Sequence, residues 1–222
     1  MAMIGVPKKY TFVINRPVAL FGGATPAFCL RRTGLTGGAG PVILEFTRRY
    51  APEKRGGMDM DEITCCFTGH RPQSLPWRFD ERDGRCLALQ ARLRDAIEDA
   101  IDQGARRFLT GMALGVDTWA AELVLSFRQR LPVELVCVIP CAGQQARWGA
   151  PARQRYQNIL ERADRRIVLE ERYSPGCFER RNRYMVDHSD LVIAVWNGLP
   201  SGTGATVAYA RAQGKLVRIL PP

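Results

Sequence analysis

Four short stretches of this 222-residue chain carry residue types that can handle a phosphate or a sugar. Ser201-Gly202-Thr203-Gly204 offers two glycines that permit close backbone approach, two hydroxyls, and the start of a helix whose dipole favours an anion. The same four residues also serve as a tight strand-to-helix turn with no ligand. Gly69-His70-Arg71-Pro72 places Arg71 to hold a phosphate or carboxylate bidentately and His70 to hydrogen-bond a sugar or base. Its plainer alternative is a loop whose Arg71 pairs with Glu122 or Asp190. Gly111-Met112-Ala113-Leu114-Gly115-Val116-Asp117 has few side chains to obstruct a ligand, and Asp117 can cap the helix that follows. Arg180 to Arg183, with Asn182 inside it, is a basic helical start that reaches the same region or forms a solvated face.

Acid–base chemistry has a thinner basis. Asp117, Glu122, Asp187 and Asp190 are the available carboxylates, each with a duller role as cap or ion-pair partner. No Ser-His-Asp or Cys-His arrangement can be assembled, so no catalytic residue is assigned. The chain lacks Gly-x-Gly-x-x-Gly and the Gly-x4-Gly-Lys-Ser/Thr loop, and so supports neither an ordinary NAD dehydrogenase nor a P-loop ATPase. Seven cysteines without a Cys-x-x-Cys pair read as small buried hydrophobes in a reducing cytoplasm. With two histidines, His70 and His188, no metal site is expected.

The elements that would position these stretches alternate regularly from residue 62 onward. Ile63 to Thr68 is a short apolar strand, and Leu89, Leu93, Ile97 and Ile101 repeat every four residues as one apolar helical face that Gly104 ends. Arg107 to Thr110 is the next strand, followed by a helix with Trp119, Leu123 and Phe127 on one side. Val133 to Ile139 is an apolar run interrupted only by Glu134, as expected of a strand covered on both faces. Tyr156, Ile159 and Leu160 mark a third helix, and Arg166–Leu169, Leu191–Trp196 and Leu216–Leu220 are further strands. The residues before Leu191 read as a short helix, and Gly204 to Gln213 as the last one. Strand–helix alternation predicts an α/β protein, a Rossmann-like three-layer α/β/α sandwich around a mainly parallel sheet. Its ligand belongs outside the C-terminal strand edge at the switch point. The loop Pro140-Cys141-Ala142-Gly143 also follows a strand, so topology gathers it on one rim with the three glycine loops after strands.

Residues 1–57 differ in kind. They hold nine of the 21 glycines, and their nine Lys and Arg against Glu45 and Glu53 give a net +7. Since the whole chain is +10, residues 58–222 carry only +3. The high pI therefore says little about nucleic-acid binding by the globular part. Val18–Phe21 or Pro41–Phe46 are candidate short strands with nothing after them to cover them. The segment reads as a basic, glycine-rich extension: either a flexible arm for an anionic surface, or a disordered upstream addition to a protein whose translation starts at Met58 or Met60. Glu53-Lys54-Arg55-Gly56-Gly57, with codons that can be purine-rich like a bacterial ribosome-binding site, favours the second. The domain expected is 58–222. No run of about 18 apolar residues appears, and no signal peptide is evident, so a cytoplasmic protein without a membrane partner is expected.

Taken as a set, Thr68-Gly69-His70-Arg71-Pro72, the run from Gly111 to Glu122, Arg181-Asn182-Arg183-Tyr184-Met185 and Ser201-Gly202-Thr203-Gly204 resemble the SLOG superfamily, and within it the YpsA-like family. The resemblance spans about residues 62–221. It implies a Rossmann-like domain that binds a nucleotide or nucleotide-derived ligand, related to NAD or ADP-ribose, as a sensor or regulator, with no certain cofactor. The site it implies comprises Gly69, His70, Arg71, Pro72, Gly111, Met112, Ala113, Gly115, Asp117, Glu122, Arg181, Asn182, Ser201, Gly202, Thr203 and Gly204. A nucleotide-processing enzyme, of phosphoribohydrolase or glycosidase type, is the alternative. Against it, the LOG phosphoribohydrolases carry Pro-Gly-Gly-x-Gly-Thr-x-x-Glu, and Ala208 stands here where that glutamate would be. Arg181-Asn182-Arg183 and the Ser201-Gly202-Thr203 turn approach the DNA-processing protein DprA. Its flanking domains are absent, however, and a +3 core is not a strongly basic single-strand surface. The implied partner is therefore a small nucleotide, with a homodimer left open and nucleic acid not expected for the core.

Overall fold

The structure, a computed structural model, describes residues 62–222 and, before them, the backbone of two strands. The chain divides into two compact units, Met1–Asp59 and Met60–Pro222. In the first, strand β1 (Tyr10–Val13) pairs antiparallel with β2 (Ile43–Phe46), Tyr10 opposite Phe46. The expected strand within 41–46 is thus present. The other expectations for 1–57, including a strand at Val18–Phe21, the flexible arm and the start at Met58 or Met60, lie outside the described residues.

The second unit is a six-stranded parallel sheet in the order β6-β5-β4-β3-β7-β8. Its strands are β3 (Ile63–Gly69), β4 (Ala105–Thr110), β5 (Glu134–Ile139), β6 (Arg165–Val168), β7 (Leu191–Val195) and β8 (Leu216–Leu220). They are linked by helices α1 (Gly84–Asp102), α2 (Val116–Phe127), α3 (Ala150–Arg162), α4 (Cys177–Asp187) and α5 (Gly202–Ala212). This is the α/β, Rossmann-like arrangement expected, and its sheet is parallel throughout.

Alternate strand residues feed two cores, because successive side chains point to opposite faces. Cys65, Phe67, Phe108, Leu135, Cys137 and Ile193 pack with the apolar faces of α1, α2 and α3, including Leu89, Leu93, Ile97, Trp119 and Tyr156. Cys66, Leu109, Val136, Val138 and Val192 face the other way, against Met185 and Val186 of α4 and Ala210 of α5. The described cysteines at 65, 66, 86, 137, 141 and 177 are free thiols and buried. Burial pushes the Cys66 and Cys137 thiols up to about 12, so they behave as small apolar groups. No described helix is long and apolar enough to cross a membrane.

The sheet's order reverses beside β3, the first strand of this unit. Its β4 neighbour leads toward one edge and its β7 neighbour toward the other. Connections leave the two sides in opposite directions there, and a crevice opens at the strand ends.

Candidate functional site

A cleft of about 690 Å³ occupies that crevice. It is lined by the end of β3 and the two residues after it, Phe67 to Arg71, by the first half of α4 and by the N-terminus of α5. Of the residues singled out in the sequence, Gly69, His70, Arg71, Ala113, Asp117, Arg181, Asn182, Ser201, Gly202 and Thr203 line it. Pro72, Gly111, Met112, Gly115, Glu122 and Gly204 do not.

Three polar side chains in the cleft are more than nine-tenths buried yet leave polar atoms without a protein partner among the described residues. Thr68 and Thr203, at 6% and 7% exposure, make no side-chain hydrogen bond. His70, at 5%, accepts the Asn197 backbone N–H on Nε2 at 3.2 Å. Accepting there requires the Nε2 lone pair, so the ring proton sits on Nδ1, which has no protein acceptor. These atoms open onto the cleft; among the described residues the fully buried side-chain polar atom without a partner is Trp77 Nε1, which does not line it.

The α5 terminus adds donors. Ser201 is its N-cap, with Oγ accepting from the Gly204 N–H at 3.1 Å. The Gly202 and Thr203 N–H groups keep no protein acceptor among the described residues, as the first donors of a helix do. A Cβ placed on Gly202 would meet nothing within 4 Å, so the backbone there is open to close approach. Gly204 is different: its Cβ position lies 3.2 Å from the Trp196 ring and the Leu199 carbonyl, so this glycine serves internal packing.

Charge is arranged in depth. Arg181 and Asp117 form a buried pair at 3.8 Å, 4% and 6% exposed. Asp117 is not the cap of α2 that its position suggested. Gly115 is the N-cap, and Asp117 sits in the first turn with its carboxylate turned back to accept the Ala113 N–H at 3.2 Å. Burial raises the Asp117 carboxyl above its ordinary value, opposed first by the Arg181 guanidinium. Burial likewise lowers Arg181, opposed by Asp117. Arg181 also donates to the Gly111 carbonyl and, through Nε, to Asn182 Oδ1 at 2.8 Å, while Asn182 Nδ2 donates to Thr206 Oγ1 at 3.0 Å. Neither side chain is free to swing.

Nearer the surface, Arg183 donates to Glu179 at 2.8 Å and lies over the Tyr209 ring, 5.2 Å from its centroid. Arg71 pairs with neither Glu122 nor Asp190. Glu122 is held bidentately by Arg155 at 2.7 and 2.6 Å, and Asp190 accepts the Thr64 N–H at 2.9 Å. Arg71 instead lies over Phe178, 5.2 Å from the ring centroid.

The loop from Gly111 to Gly115 turns out to be packed by the protein itself. Gln144 donates to the Met112 carbonyl at 3.2 Å, Thr118 to the Ala113 carbonyl at 2.9 Å, and Pro72 lies 3.0 Å from the Cβ position of Gly115. The Pro140–Gly143 loop leads to Gln144 and buttresses that loop without lining the cleft. Phe178, Glu179, Thr206 and Tyr209 also line the cleft and were not picked out from sequence. The apolar spacing of α4 and α5 marks their buried sides, and nothing local says that their remaining residues face a ligand.

A parallel sheet covered by helices on both faces, with a cleft at its switch point, defines the class: a Rossmann-like α/β protein. The family model described as the YspA SLOG family, YpsA, matches residues 65–214, and the chain belongs to that family. Among its relatives is the SPbeta prophage-derived protein YoqJ of Bacillus subtilis, 32% identical over 139 residues, covering 56% of this chain and 81% of YoqJ. The UPF0398 protein YpsA of the same organism is 27% identical over 140 residues, 62% of this chain and 77% of that protein. The solved structure of DNA processing protein A from Helicobacter pylori, described for its single-stranded DNA binding mode, shares the fold. That match has a TM-score of 0.50 and 21% identity, over 72% of this chain and 66% of that one.

Proposed function

We propose that the cleft binds a nucleotide or nucleotide-derived anion, of the NAD or ADP-ribose kind, and that the protein is a sensor or regulator. The observation that carries this is the convergence on one cleft of free donors: the Gly202 and Thr203 N–H groups, the Thr68 and Thr203 hydroxyls, and the His70 Nδ1–H. Helix N-termini and oriented hydroxyls satisfy phosphate and ribose oxygens, and Arg71 and Arg183 add positive charge at the mouth. The carboxylates that line the cleft are both engaged, Asp117 with Arg181 and Glu179 with Arg183, and Ala208 is a solvent-exposed alanine of α5. Binding without turnover fits that composition better than glycosidic cleavage, which calls for a carboxylate facing the scissile bond.

Thermal-shift and calorimetric titration with AMP, ADP-ribose and NAD, followed by chromatography of the mixture, tests the reading. A shift with the ligand recovered intact is expected, and Arg71→Ala and Gly202→Ala should each weaken it at least tenfold. A consumed ligand would establish the enzyme alternative. Salt-sensitive retention of single-stranded DNA, with no response to small nucleotides, would replace both.

A further inference from the structure

Arg71 is exposed at the mouth of the cleft and has no carboxylate partner among the described residues. What holds it is a ring: its guanidinium lies over Phe178, in the first turn of α4. A second ring, Tyr173, stands 6.4 Å from Phe178 between centroids, tilted by 54° and 68% exposed. The segment carrying Tyr173 is pinned. Glu170 accepts from Ser174 Oγ at 2.5 Å and from Arg180 Nε at 2.8 Å, Arg180 donates to the Pro175 carbonyl at 3.0 Å, and Arg180 also donates to Ser174.

Aromatic surface ordinarily goes inward because its burial stabilises the fold. Here a tied loop keeps Tyr173 in solvent beside Phe178, and Phe178, half-buried in α4, lines the cleft against an unpaired cation. Attraction of a phosphate requires none of this. A guanidinium lying over a ring is a cationic, planar group of the kind on which an unpaired base stacks.

We propose that Arg71, backed by Phe178 with Tyr173 behind it, is a nucleobase-stacking subsite, so that the ligand is a nucleotide with a free base and not a base-free sugar phosphate. This rests on the anion-binding reading for the ligand's other end, at Gly202 and Thr203. A cleft of about 690 Å³ has room for both ends of such a ligand.

Calorimetry on the full chain with AMP, ribose 5-phosphate and adenosine separates the two ends, because AMP and ribose 5-phosphate differ by the base alone. AMP is expected to bind at least tenfold more tightly than ribose 5-phosphate. Arg71→Lys keeps the charge and loses the flat face, and Phe178→Leu removes the backing. Each should bring AMP down to the ribose 5-phosphate level while moving ribose 5-phosphate less than twofold. Tyr173→Ala, at an exposed position with little bearing on folding, should cost AMP about threefold and ribose 5-phosphate nothing. AMP affinity unchanged in Arg71→Lys and Tyr173→Ala overturns the subsite. Equal affinity of AMP and ribose 5-phosphate for the native chain also overturns it and leaves the anion cradle standing. Adenosine binding with ribose 5-phosphate silent removes the cradle and keeps the subsite, and silence of all three removes both.

Discussion

Two glycine-rich turns open helices on the same rim of the sheet, and they are used in opposite ways. At Gly111-Met112-Ala113-Leu114-Gly115 the space that the glycines leave is filled by the protein. The Arg181 guanidinium occupies the position a Gly111 Cβ would take, and Pro72 closes on Gly115. Met112 accepts a left-handed φ of 56° inside this packing, a conformation that a non-glycine residue adopts at some cost. At Ser201-Gly202-Thr203-Gly204 the space beside Gly202 is empty, and two backbone donors face the cleft. A glycine in a strand-to-helix turn therefore marks close approach without saying by what. In the first turn it is a buried arginine of the same chain; in the second no atom lies within 4 Å of the added Cβ.

The contrast is most severely tested at the arginine that fills the first turn. Arg181→Met removes one partner of a buried pair and should lower unfolding free energy by about 3–5 kcal/mol in urea titration. The pH dependence should change as well. Because burial raises the folded-state value of Asp117, its favourable contribution is full below the unfolded value of about 4 and is lost as pH rises through the folded one. Arg181 is the largest influence opposing that rise, so without it the loss should extend to higher pH. Denaturation of Arg181→Met across pH 4 to 8 should show the steeper decline, and adding Asp117→Asn should flatten it. An Arg181→Met profile parallel to wild type would mean that the two groups are not coupled.

Next in size is Gly111→Ala, whose new methyl overlaps the guanidinium and should cost about 1–3 kcal/mol as overpacking does. Much of that cost should vanish in the Gly111→Ala, Arg181→Met double variant, since the clash has no second party there. Additive losses would show that the glycine answers to backbone conformation and not to the arginine.

The layered fold was legible because its signal is periodic. Leu89, Leu93, Ile97 and Ile101 all fall on the buried side of α1, and the apolar run ending at Ile139 is a strand covered on both faces. After β3 and before α5 the cleft residues were legible, because topology carries Gly69, His70, Arg71 and Ser201 to Thr203 to one edge, whereas Gly111, Met112 and Gly115 also follow a strand and do not line the cleft. Elsewhere it was illegible. Asp117 sits one turn into α2 and bends back to Ala113, so its capping chemistry was assigned to the wrong geometry. Glu122 resembles a site carboxylate but is consumed by Arg155, thirty-three residues distant, a pairing that no local pattern announces. Phe178 and Tyr209 are both half-buried, and Tyr209 packs against the core, so apolar spacing explains them without a ligand.

The second turn should respond mildly in stability and strongly in binding. Ser201→Ala removes the side-chain cap on the Gly204 N–H and should cost about 1 kcal/mol. Gly202→Ala should change stability by less than about 0.5 kcal/mol in either direction, because the methyl meets no atom and alanine suits a helix better than glycine. Yet the methyl points into the space through which an anion would approach the Gly202 and Thr203 N–H groups. Melting temperature unchanged, with nucleotide response lost, is the outcome that separates a turn kept open for a ligand from a turn kept open for the chain. The same substitution at Gly111 should do the reverse in thermal melting, and a large loss of stability at Gly202 would erase the distinction between the two.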